Sequence, residues 1–166
     1  MDVVVGLNGG GKSAKITAKL HLRYNMKITL QLVVNQPAAT VFDQIADARN
    51  EATWNSTLTD YKLVSEGPIG KGSTFTYKNR GNEFTSIISE YNKPESLAFQ
   101  VQGQPMDMIA RVHFEALSPN STQVNATYEL MPKGSMKLLL PIFGPFLHKS
   151  FAKEFENFKK FSESQK

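Results

Sequence analysis

From Met26 onward apolar and polar residues alternate with the period of a strand that buries one face. Ile28, Leu30, Leu32 and Val34 are apolar, and Lys27, Thr29 and Gln31 are polar. The spacing predicts a strand over 27–34, halted at Asn35-Gln36-Pro37. Pro37 suits the first position of a helix, which Val41, Phe42 and Ile45 continue at helical spacing to Ala46. A second short helix is predicted from Arg49 to Trp54, followed by strands near 58–65, 73–79, 82–91, 96–102, 107–117 and 122–131. Gly67-Pro68, Gly70-Lys71-Gly72, Arg80-Gly81-Asn82, Asn92-Lys93-Pro94 and Ser118-Pro119-Asn120-Ser121 separate them. Connections this short predict consecutive antiparallel hairpins.

A helix from Pro145 to about Ser162 ends the pattern. Stepping about 100° per residue puts Phe143, Leu147, Phe151, Phe155, Phe158 and Phe161 on one face, opposite Lys149, Lys153, Glu156 and Lys160. So heavy an apolar stripe needs a broad concave surface, and a curved antiparallel sheet provides one. Ahead of it, Met136-Lys-Leu-Leu-Leu-Pro-Ile-Phe-Gly-Pro145 is interrupted by Pro141 and Gly144-Pro145. It reads either as a bent entry packed on the sheet or as a hydrophobic lid, or a patch for a partner or membrane.

This order of elements reaches a family. Residues 26–166 resemble the START-like (SRPBCC) superfamily in its polyketide cyclase/dehydrase-like branch. The matching segments are Asn35-Gln-Pro-Ala-Ala-Thr-Val-Phe-Asp-Gln-Ile-Ala-Asp47, Trp54, Glu66-Gly-Pro-Ile-Gly-Lys-Gly-Ser-Thr-Phe75, Ile88-Ser-Glu-Tyr-Asn-Lys-Pro-Glu-Ser-Leu-Ala-Phe99 and Phe114-Glu-Ala-Leu-Ser-Pro119. The resemblance implies an α+β helix-grip fold: a curved antiparallel sheet of about seven strands wrapped round a long C-terminal helix, with two short helices after the first strand. It implies a cavity for a lipid, sterol, hormone or polyketide, with catalysis in only some members. Residues 1–25 lie outside it, as a basic, glycine-containing extension that reads either as an extra strand or as a disordered leader.

Parity then assigns a lining. Phe75, Tyr77, Phe84, Ile88, Phe99, Val101, Met108, Phe114 and Tyr128 face inward from the strands, and Phe143, Leu147, Phe151 and Phe155 by helical angle from the last helix; the resemblance adds Trp54, at the end of the second helix. Arg111, His113 and Glu115 take the other parity and are expected in solvent. Ionisable candidates for chemistry inside are few: Tyr77, Tyr128 and Glu154, the last at the edge of the apolar stripe, where desolvation would raise its pKa. No second carboxylate or histidine joins Glu154 from the sequence, and His148 reads as a packing or rim residue.

A competing motif stands at the start. Gly6-Leu-Asn-Gly-Gly-Gly-Lys-Ser13 fits the phosphate-loop pattern G-x-x-x-x-G-K-[ST]. That loop works between a buried strand and a helix, with an aspartate at the end of a second strand for the metal. After Ser13 the chain alternates instead, with Ile16, Ala18, Leu20 and Leu22 apolar, and no run of four apolar residues precedes an aspartate. Moreover, Lys15-Ile-Thr-x-x-Leu20 recurs at Lys27-Ile-Thr-x-x-Leu32, as if an extra strand preceded the first.

Composition narrows the rest. Cysteine is absent, which excludes thiol catalysis and fits a reducing cytoplasm, and the three histidines are too scattered for a zinc constellation. No metal and no cofactor is expected. Of the net charge of +4, residues 1–25 hold four basic residues against one acidic, whereas residues 26–166 hold 15 against 14. Without a cationic face on the domain, nucleic acid is not an expected partner. No stretch is long and apolar enough to span a membrane, which leaves peripheral contact open. The expected function is binding or transport of a small hydrophobic ligand, lipid or polyketide-like. A cyclase/dehydrase-type enzyme acting on an aromatic or enolisable substrate is the alternative, and a nucleotide hydrolase a distant third.

Overall fold

The computed structural model describes residues 25–165. Strand β1 (Met26–Val34) leads into helix α1 (Ala38–Ala46), a single 3-10 turn (Ala48–Asn50) and helix α2 (Glu51–Trp54). Strands β2 (Leu58–Leu63), β3 (Thr74–Asn79), β4 (Asn82–Asn92), β5 (Ser96–Gly103), β6 (Met106–Ser118) and β7 (Ser121–Pro132) follow, and helix α3 (Met136–Ser164) closes the chain. The strands form one seven-stranded sheet in the order β1-β7-β6-β5-β4-β3-β2. Every neighbouring pair is antiparallel. This is the α+β helix-grip arrangement that the resemblance implies, built from the antiparallel hairpins that the alternation and turn spacing predict. The phosphate-loop pattern and the proposed extra strand lie outside the described residues.

The connection from β1 to β2 crosses from one sheet edge to the other, and its helices plug one end of the concave face. Pro37 (φ −58°, ψ 144°) stands just outside α1 as its cap, with its carbonyl accepting from the Val41 amide at 3.1 Å. Val41 and Phe42 are fully buried. The Phe42 ring lies 5.0 Å from Tyr91 and 5.3 Å from Phe114, joining α1 to β4 and β6. Asp47 caps the 3-10 turn and holds the Arg49 guanidinium at 2.8 and 2.7 Å.

Two backbone features aim side chains at the other end. The turn between β3 and β4 has only Arg80 and Gly81 between the paired Asn79 and Asn82, with φ of 49° and 84°. Both central residues are thus left-handed, as the twist of a two-residue hairpin demands. In β2 the register shifts between Thr59 and Lys62, with Asp60 at φ 56°. This bulge turns Asp60 out to an ion pair with Lys78 at 2.9 Å and swings Tyr61 inward.

The last helix corrects the sequence reading. It begins at Met136 and runs through both Pro141 and Pro145, although proline withholds the amide that the carbonyls of Lys137 and Pro141 would accept. Packing outweighs that loss. Leu140 is buried, and Gly144 faces the Met26 thioether, where an added Cβ would make ordinary contact at 3.4 Å. Beyond Glu154, polar ties pin the helix. Asn157 Nδ2 donates to the Trp54 carbonyl (3.2 Å), Ser162 Oγ to Gln44 (2.5 Å) and the Asn35 amide to Glu163 (2.8 Å), while Lys159 reaches the Val33 carbonyl.

If α1 plugs the sheet as this packing requires, Phe42→Ala should cost about 3–5 kcal/mol in urea unfolding. A loss below about 1 kcal/mol would mean that this end is closed by something other than the Phe42 ring.

Candidate functional site

Between the unplugged part of the sheet and α3 lies a cavity of about 380 Å³. One wall is an aromatic stack drawn from three adjacent strands. Tyr61 lies parallel to Tyr77 with centroids 4.5 Å apart, and Tyr77 parallel to Phe84 at 5.4 Å. Phe84 can lie so flat because its neighbour across the β4–β5 ladder is Gly103; a Cβ there would sit 2.2 Å from the ring. The floor is Phe99, Val101, Met108, Ala110 and Val112 from β5 and β6. From α3 come Leu147, Ser150, Phe151, Glu154 and Phe155, with Phe151 edge-on to Tyr128 at 4.7 Å. Trp54 closes the α2 side, 5.1 Å from Phe158 and 5.0 Å from Phe161.

Ten of the residues assigned to the lining by parity, helical angle and resemblance do line this cavity: Trp54, Tyr77, Phe84, Phe99, Val101, Met108, Tyr128, Leu147, Phe151 and Phe155. Four do not. Phe75, Ile88 and Phe114 have the correct parity but belong to the solid core, where Tyr61 covers Phe75 and Phe42 covers Phe114. Phe143 is 48% exposed, whereas Leu140 and Gly144 on the neighbouring turns are buried. Arg111, His113 and Glu115 face solvent as expected, with Arg111 paired to Glu129 at 2.8 Å. His148 is also exposed.

The largest correction concerns charge. Glu154 projects into the cavity, and a second carboxylate faces it: Glu51, from the first turn of α2. Glu51 stands three residues before Trp54 and therefore on the same side of that helix, a signal the sequence already contained. The Tyr61 hydroxyl donates to Glu51 at 3.2 Å and the Ser150 hydroxyl to Glu154 at 3.2 Å. Burial, reinforced by the Glu154 charge and only partly offset by the Tyr61 hydrogen bond, pushes Glu51 up to about 7. Burial raises Glu154 as well, against the Ser150 hydrogen bond and the Arg80 charge. The hydroxyls of Tyr61, Tyr77 and Tyr128 are raised by burial first and by the Glu51 charge second, so they stay protonated.

The arrangement offers an apolar chamber with a polar end that can accept, donate or move a proton near neutral pH. Among the described residues no group of three or more His, Cys, Asp or Glu side chains gathers where a metal could bind.

The family model described as polyketide cyclase/dehydrase and lipid transport matches residues 25–163. A START superfamily protein from Mycobacterium smegmatis is 17% identical, with a TM-score of 0.65 over 84% of this chain and 95% of that one. The Zhui aromatase/cyclase from Streptomyces sp. R1128 is 14% identical, with a TM-score of 0.68 over 84% and 94%. A truncated norcoclaurine synthase from Thalictrum flavum is 13% identical, with a TM-score of 0.62 over 86% and 96%. At such identities these three bear on the fold alone. No curated protein matches the chain in sequence.

The raised Glu51 pKa has a consequence for stability. A carboxyl that holds its proton more tightly in the folded chain contributes stability below its ordinary value of 4.5, and that contribution is lost as the pH climbs through about 7. Glu51→Gln, neutral at every pH, should therefore be more stable than the parent by about 1–3 kcal/mol near pH 8, and by much less near pH 5. Urea unfolding at both pH values checks this; an equal difference at the two would place Glu51 in water.

Proposed function

As the chain belongs to the polyketide cyclase/dehydrase and lipid transport family, we propose that it binds a small hydrophobic molecule carrying one hydrogen-bonding end. The observation that supports this most is a polar cluster in a cavity with many apolar walls. Glu51, Tyr61, Tyr77 and Glu154 gather together, and Phe99, Val101, Met108, Val112 and Phe155 are among the apolar residues that line the same chamber. Ligand chambers are typically of about 300–1,000 Å³, mostly apolar, with a few placed polar groups. A carboxyl near its pKa both donates and accepts, which suits a hydroxyl, phenol or enol on the ligand.

Native mass spectrometry of protein purified from cells should reveal a co-purifying hydrophobic molecule. Ala110→Phe, which puts a ring into the chamber, should remove it without lowering the melting temperature. Absence of any bound mass, together with no binding across a panel of lipids and aromatic polyketides, would sink the reading.

One observation favours a second reading, cyclase-type chemistry: Glu51 titrates close to neutral, the range a general base needs. Its carboxylate would take a proton from carbon beside a carbonyl, the C–H electron pair becoming the C=C bond and the carbonyl π pair moving onto oxygen as an enolate. The protonated Tyr77 or Tyr128 hydroxyl would then donate to that oxygen. An aryl methyl ketone in D₂O should exchange its methyl protons faster with the parent than with Glu51→Gln, by about 10²–10⁴-fold. Equal rates would leave binding alone.

A further inference from the structure

We propose that the outward face of the first half of α3 docks the protein on an anionic lipid surface. Leu138 is 78% exposed, Ile142 72% and Phe146 56%, with Leu139 and Phe143 beside them. The inward side of the same turns is apolar too, through Leu140 and Gly144 on Met26. A helix apolar on every side ordinarily has an apolar medium on every side. No helix of the described residues is long and apolar enough to cross a membrane, so α3 would lie in the interface rather than span it.

Charge identifies the medium. Between Glu129 and Glu154 the sequence has Lys133, Lys137, Lys149 and Lys153 and no acidic residue. Lys133 is engaged by Asp107 at 2.6 Å; Lys137, Lys149 and Lys153 are exposed and make no ion pair among the described residues. At helical spacing Leu138, Ile142, Phe146, Lys149 and Lys153 fall within an arc of about 80°. The outward face thus runs from apolar to basic, the profile of a helix that buries its side chains beneath headgroups and sets lysines against phosphate. Glu156 ends this run and Lys160 follows it. A second copy of the chain fits less well: about three helical turns present far less surface than the roughly 1,200 Å² that a stable pair buries.

The test uses the full chain and sedimentation with vesicles of phosphatidylcholine alone or mixed with phosphatidylglycerol. Binding should require phosphatidylglycerol and weaken as salt is raised. The Ile142→Asp, Phe146→Asp double variant should bind at least about tenfold more weakly, and so should Lys149→Glu, Lys153→Glu, each with an unchanged urea midpoint. Residues 1–25 also carry four basic residues, and binding through them would persist in the aspartate variant. That persistence would overturn the proposal. So would a concentration-dependent dimer, seen by light scattering, that binds no vesicles and that the aspartates dissolve.

Discussion

One helix must cover the concave face of seven strands, and it is too narrow to do so. Strands spaced about 4.8 Å apart put the edges of this sheet roughly 29 Å from each other, whereas a helix with its side chains is about 10 Å wide. Curling the sheet narrows the gap without closing it. The chain fills one end with α1, where Phe42 meets Tyr91 and Phe114. At the other end no described residue is inserted in the same way, and the uncovered strand faces become the cavity wall. The chamber is therefore a property of the topology, and the sequence tunes only its shape and polarity.

Putting carboxylates into such a space changes their chemistry. On the convex side, Arg111 and Glu129 pair across the exposed face of the sheet. Inside, Glu51 and Glu154 face each other among aromatic rings, each has a hydroxyl partner, and desolvation disfavours ionising both. The bulge at Asp60 is part of this design, because only the extra residue brings the Tyr61 hydroxyl to Glu51. Arg80, held left-handed in its turn, supplies the positive charge felt by Glu154. Two of the backbone's least common conformations thus serve the polar end of one cavity.

The fold was legible because its signals are periodic. Alternation located the strands, and the pairs Arg80-Gly81 and Pro119-Asn120 located turns, to within a residue or two of where they lie. The site was less legible, for three local reasons. Parity says which face a residue takes but not which end of the sheet it occupies, so Phe75, Ile88 and Phe114 could not be told from Phe84, Phe99 and Met108. A bulge inverts parity without a signature of its own, which hid Tyr61 behind Asp60. Helical angle needs a partner beneath it to mean burial, and Phe143 stays half exposed. Glu51 shares one side of α2 with Trp54 through their three-residue spacing, but a helix of one turn is too short for periodicity to mark it as a wall.

These features meet in α3, whose two halves are held differently. The last half is tied by hydrogen bonds to α2, to the end of β1 and to α1. The first half has no side-chain hydrogen bond to the sheet among the described residues, lacks two amides to proline, and rests on Leu140 and Gly144. Local stability follows such a gradient of contacts. The weaker half carries the apolar outward face and leads directly into Leu147 and Phe151 of the cavity lining. If that face docks on lipid as proposed, a hydrophobic ligand would meet least resistance at the part of the wall beside it.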